Sequence, residues 1–79
     1  MARQGRLDDA IEQFSKAVEI KPDYLEARFN LGIALAARGR GTEAMEQYQT
    51  ALALAEARKN RAAAEAIRGQ INRLNGAKP

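Results

Sequence analysis

LEARFNLGIALAARGRGTEAMEQYQTALAL, residues Leu25 to Leu54, reads as one complete helix-turn-helix hairpin. Its first arm carries Leu25, Phe29, Leu31, Ile33 and Leu35 among alanines, then meets Arg38-Gly39-Arg40-Gly41, where two glycines permit φ > 0 and end a helix. The second arm opens at Thr42, an N-cap residue type, with Glu43 behind it to meet the positive helix end. It then places Ala44, Met45, Tyr48, Ala51 and Leu52 at helical spacing. Both arms are amphipathic, so each predicts the other as its packing partner.

The second arm occurs twice. Shifted by 34 residues, Gly5-Arg6 falls on Gly39-Arg40, Ala10 on Ala44, Glu12-Gln13 on Glu46-Gln47, Phe14 on Tyr48, Ala17-Val18 on Ala51-Leu52 and Ile20 on Leu54. That period, with a Leu31-Gly32 pair in the first arm, a small residue (Ala10, Ala44), an aromatic (Phe14, Tyr48), an alanine (Ala17, Ala51) and a closing Pro22, resembles the tetratricopeptide repeat family. The resemblance covers residues 3 to 56 well. It departs from the family at Arg28, where a large aromatic is usual, at Leu35, which replaces a tyrosine, and at Glu56, which stands in the place of the second proline. Each motif residue has a packing reason: Gly32 and Ala44 lack bulk where the helices approach, the aromatic fills the gap beside them, and proline ends the second-type helix. Leu35 counts with these packing positions.

The resemblance implies an all-α fold, antiparallel hairpins stacked as a short right-handed solenoid of about four helices, expected at 7–20, 24–38, 42–58 and 61–74. It divides the chain into a partial repeat (1–24), a complete repeat (25–58), a capping helix (59–75) and a tail (76–79). Residues 1 to 5 read as the last turn of a first-type helix, with Asp8 capping the next. For 42–75 two readings stand, one unbroken helix or a break at Asn60, and the break is preferred because Asn60 is a good N-cap. The final helix carries Ala63, Ala64, Ile67, Ile71 and Leu74 at spacings of three and four and meets Asn75-Gly76, a C-cap pair.

A chain of 79 residues is one small domain, near the size where a single core gives only a few kcal/mol of net stability. It has no cysteine and no histidine, which removes disulfide frameworks, zinc clusters and histidine-based catalysis. The only serine, Ser15, therefore has no activating base, and the acidic pairs Asp8/Asp9 and Glu43/Glu46 are explained by the helix dipole. No cofactor, metal or enzymatic activity is expected. No apolar run is long enough to span a bilayer and MARQGRLDD lacks a signal-peptide core, so the expectation is a cytoplasmic protein. The net charge of +3 is concentrated: residues 57–79 hold Arg58, Lys59, Arg61, Arg68, Arg73 and Lys78 against Glu65 alone. With no aromatic interleaved, this reads as a solvated capping face and not as a nucleic-acid surface.

The family resemblance points to protein–protein interaction. It implies a concave face lined by first-type helices, onto which Glu26, Phe29, Asn30, Ile33, Ala36 and Ala37 map, with Phe29 and Ile33 one turn apart as an apolar strip. Asn30 stands where chaperone-binding members use an asparagine in a carboxylate clamp, but the basic partners of that clamp are not evident, and Asn60 and Ala64 fall near their place. The alternative is a self-assembly unit: the helix order leaves both ends open, so a homo-oligomer is expected, head-to-tail or as a two-fold dimer pairing like ends, the dimer preferred because Asn72 opposes a head-to-tail fit, with Ile11, Phe14, Val18, Ile67, Ile71 and Leu74 as the oligomer face.

Overall fold

The computed structural model describes the backbone of residues 2–76 and the side chains of residues 5–76. Four α-helices follow one another: α1 (Ala2–Ile20), α2 (Leu25–Ala37), α3 (Gly41–Ala57) and α4 (Arg61–Gly76). Residues 77–79, most of the expected tail, lie outside the described residues. Helix α2 packs most extensively on α3, α1 lies on α2, α4 lies on α3, and α2 and α4 meet only lightly. This is the open stacking of hairpins expected from the repeat, with α2 and α4 as first-type helices and α1 and α3 as second-type.

The turn between α2 and α3 is built as foreseen, through one of its two glycines. Gly39 takes φ +84°, the Arg40 amide donates to the Leu35 carbonyl (2.8 Å) and the Gly39 amide to Ala36 (3.0 Å), a Schellman ending. Gly41 is already helical. Thr42 is consequently inside α3 and does not cap it; the capping position falls on Arg40, which makes no side-chain cap but donates twice to Glu43, at 2.6 and 2.8 Å. The same Schellman pattern closes α3: Asn60 N–H donates to the Ala55 carbonyl (2.8 Å) and Lys59 N–H to Glu56 (3.0 Å), with Lys59 at φ +55°. Asn60 then caps α4, its Oδ1 accepting from the Ala63 amide at 3.1 Å. Residues 42–75 therefore form two helices.

The first helix differs from its expectation. α1 runs unbroken from Ala2 to Ile20, so residues 2–5 are not the end of a separate first-type helix and Asp8 is not a cap. Glycine permits a turn without imposing one: nothing lies within 4 Å of where a Gly5 side chain would point, and nothing there forces the chain to double back. Asp8 instead reaches across to α2 and accepts from Arg38 Nε at 2.9 Å.

The core is a cluster of Leu25, Leu31 and Leu35 from α2, Ala44, Tyr48, Ala51 and Ala55 from α3, and Ala64 and Ile67 from α4. Ile11, Phe14 and Val18 of α1 pack against it while remaining half-buried. Gly32 is required by geometry, because a methyl group there would stand 2.5 Å from Cε1 and 2.7 Å from Cδ1 of the Tyr48 ring. The bulk that Gly32 makes room for is thus Tyr48, itself only 1% exposed, more than Ala44. Pro22 sits exposed in the α1–α2 connection. That connection is held from outside: Arg28 Nε donates to the Pro22 carbonyl (2.9 Å), and Arg58 donates to the carbonyl of Asp23.

Candidate functional site

Helix α2 presents one open stripe. Glu26, Asn30, Ile33 and Ala37, at helical spacing, are exposed, and Ile33 is 40% exposed although it is a large apolar residue. Phe29 and Ala36 are half-buried. The Phe29 ring turns toward α3 and lies 6.1 Å from the Tyr48 ring at a tilt of 53°, so Phe29 supports the stripe from the side and Ile33 is its only bulky apolar member.

The neighbouring first-type helix extends this face, but in a register that the 34-residue period misses. α1 ends at Ile20 ahead of Pro22, whereas α3, with Glu56 in the corresponding place, continues to Ala57. The delay moves α4 by two residues, so a shift of 36 brings buried Leu31 onto buried Ile67 and half-buried Arg28 onto buried Ala64. In that register Ala62, Ala66, Gly69 and Arg73 succeed Glu26, Asn30, Ile33 and Ala37, and all four are exposed. The open stripe shared by α2 and α4 is accordingly Ile33 amid small residues, with Glu26 toward one end and Arg73 toward the other. The signal for the added residues was the missing proline. The corrected register also moves Asn60 and Ala64 out of the clamp position: Asn60 caps α4, Ala64 is 5% exposed, and Ala66 follows Asn30.

The remaining positions fall into place by burial. Leu31, Gly32, Leu35, Ala44, Tyr48 and Ala51 are buried, whereas Ala10, Phe14 and Ala17, the same positions one repeat earlier, are half-buried. Of the positions named for self-association, Ile67 is 0% exposed and lies inside the chain's own core, so it offers nothing to a second molecule. Ile71 and Leu74 are half-buried. The outward side of α4 that corresponds to the α3-facing side of α2 carries Arg61, Glu65 and Arg68, and with Glu56 and Lys59 it lines a cavity of about 540 Å³ at the mouth of the α3–α4 hairpin.

Electrostatics here organises contacts between helices and connections. The basic C-terminal residues are partly engaged, Arg68 with Glu56 at 2.7 Å and Arg58 with the α1–α2 connection. The Arg40 guanidinium, by hydrogen bonding, holds the Glu43 carboxyl below the usual carboxylate range and is itself raised. Burial pushes the Tyr48 phenol up, opposed by the positive charge of Arg73. Among the described residues no three metal-ligating side chains converge, and no helix is long and apolar enough to cross a membrane.

Comparison with known proteins agrees with this geometry. The family described as TPR repeat matches residues 2–39, which are α1 and α2. Residues 2–39 thus match the tetratricopeptide repeat, and the four-helix fold is tetratricopeptide-like. Among curated proteins, an uncharacterized protein of Methanocaldococcus jannaschii is 39% identical over 54 residues, 68% of this chain and 63% of that protein. The peroxisomal targeting signal receptors of Eremothecium gossypii and Kluyveromyces lactis are 34% and 36% identical over 56 residues, 71% of this chain and 10% of each receptor. The chain thus spans less than two thirds of the archaeal protein and a tenth of the receptors. No solved structure matches it.

Proposed function

We propose that this tetratricopeptide chain is a protein-docking module, a scaffold or peptide-binding adaptor without chemistry of its own, and that the concave stripe of α2 and α4 is its docking face. The observation that carries the reading is Ile33, held 40% exposed on a helix whose other large apolar residues turn inward, with Ala37, Ala66 and Gly69 leaving room around it. Small residues let a partner backbone approach, and an exposed isoleucine gives it an apolar anchor. Two of the similar proteins are named as receptors of a targeting signal, which supports the same class of work.

Self-assembly through the terminal helices, the other reading, draws no support from α4, whose Ile67 is buried and whose outward side is charged. The docking reading is tested by selecting a random peptide library on the full chain and re-measuring the selected peptides on two variants. Ile33→Asp should weaken them at least tenfold with an unchanged circular dichroism spectrum, while Gln49→Asp on α3 should leave them unaffected. Peptides that bind Ile33→Asp as well as the original chain would remove the concave face from consideration.

A further inference from the structure

The open stripe carries two charges of opposite sign, one toward each end, and neither is neutralised. Helices α2 and α4 are each antiparallel to α3 and so run parallel to each other, which sets Glu26, in the first turn of α2, and Arg73, in the last turn of α4, at opposite ends. Both residues are exposed, and among the described residues neither has an ion-pair partner. The other arginines toward the Arg73 end are engaged, Arg38 with Asp8 at 2.9 Å and Arg40 with Glu43 at 2.6 Å. On α4, Arg61, Glu65 and Arg68 line the cavity on the outward side and stand off the stripe. The charge of Arg73 reaches the Tyr48 phenol, whose ring lies against Gly32, the residue before Ile33. The helix dipoles favour both placements, yet a dipole leaves a charged head free to pair.

We propose, resting on the docking reading above, that the stripe selects an extended segment of a partner protein in which an aliphatic residue has a basic residue on one side and an acidic residue on the other. The spacing follows from Ile33, the apolar anchor point. Glu26 precedes it by seven residues, about 10 Å along the helix axis. Arg73 follows Gly69, which is level with Ile33, by four residues, so it lies about 6 Å along the axis and one interhelical spacing of about 8–10 Å across. An extended chain advances about 3.3 Å per residue, so each charge is met about three residues from the aliphatic side chain. A lysine or arginine then faces Glu26, and an aspartate or glutamate faces Arg73. Exposed ion pairs contribute little individually, so Ile33 supplies the binding and the two charges supply the choice. A segment with like charges on both sides meets repulsion at one end, and that is what rejects it.

The probes are synthetic peptides with a central leucine, serine elsewhere, and every pairing of lysine, glutamate and glutamine at the third residue before and the third residue after it. They are titrated by NMR at low salt into the isotopically labelled full chain and into variants whose circular dichroism spectrum is unchanged. One order of the lysine and glutamate pair should bind about fivefold more tightly than the peptides with two lysines or two glutamates, and high salt should flatten the ranking. Arg73→Glu should move the optimum to lysine on both sides, Glu26→Lys should move it to glutamate on both sides, and Arg73→Gln should lose the preference for glutamate without gaining one for lysine. Binding that Ile33→Asp abolishes but whose ranking Arg73→Glu leaves unchanged overturns this proposal and leaves the docking reading standing. Failure of all these peptides to bind up to millimolar concentration also overturns it. The docking reading falls with it only if the library-selected peptides bind Ile33→Asp as well as the original chain.

Discussion

Helices α1 and α3 share a motif but not a fate. Ala44, Tyr48 and Ala51 are sealed in the core between α2 and α4, whereas Ala10, Phe14 and Ala17, the same residue types 34 positions earlier, rest on α2 alone and stay half-buried. The residue at the end of the motif diverges most, with Leu54 packed on the core and Ile20 86% exposed. In a stacked array burial belongs to the neighbours, and a repeat unit gains stability from its interfaces more than from its own composition. The aromatic position should therefore differ in energetic weight between the copies by more than the chemical difference between Phe and Tyr.

The sharpest way to break this comparison is to truncate both aromatics. Tyr48→Ala should cost about 3–5 kcal/mol, enough to leave so small a domain largely unfolded at 25 °C, while Phe14→Ala should cost only about 1–2 kcal/mol and remain folded. Urea unfolding followed by circular dichroism reads both; comparable losses would show that α1 is as well packed as α3. Next in size are two glycines within helices. Gly32→Ala should destabilise by about 1–3 kcal/mol because the methyl group drives into the Tyr48 ring, and Gly5→Ala, facing open space, should stabilise by about 0.5–1 kcal/mol. Thermal melts giving the same sign for both would contradict the close approach of α2 and α3. The smallest effect contrasts the two Schellman endings: Gly39 adopts φ +84° freely, while Lys59 at φ +55° bears a side chain there. Lys59→Gly should add about 0.5–1 kcal/mol, and a loss of stability would mean that the lysine side chain holds the turn.

Much of this architecture was legible beforehand. The recurrence of small, aromatic and turn residues in phase required two second-type helices with a first-type helix between them, and Asn60 marked the start of α4 by its capping chemistry. Four features were hidden for physical reasons. Gly5 resembles Gly39, but a turn forms only where packing demands that the chain reverse, so α1 continues through it. Thr42 resembles a cap, but the turn enters α3 one residue earlier, with Arg40 and Glu43 paired beside it. Glu56 in place of proline lengthens α3, and that shift, invisible to a fixed period, decides which residues of α4 continue the open stripe of α2. Phe29 was the subtlest: its spacing from Ile33 suits a shared strip, and only the position of Tyr48 shows that it faces inward.

The connection between α1 and α2 is fastened by two arginines that grip peptide oxygens, Arg28 on Pro22 and Arg58 on Asp23. A guanidinium keeps its charge throughout the working range of proteins and an amide oxygen has none to lose, so these fasteners are insensitive to acid in a way that the carboxylate pairs elsewhere on the surface are not. The first is also blind to the side chain of the residue it holds, whereas Arg58 stands in addition 3.8 Å from the Asp23 carboxylate. In acidic surroundings these two bonds to the backbone persist, and the loop between the first two helices stays fastened to α2 and to the end of α3.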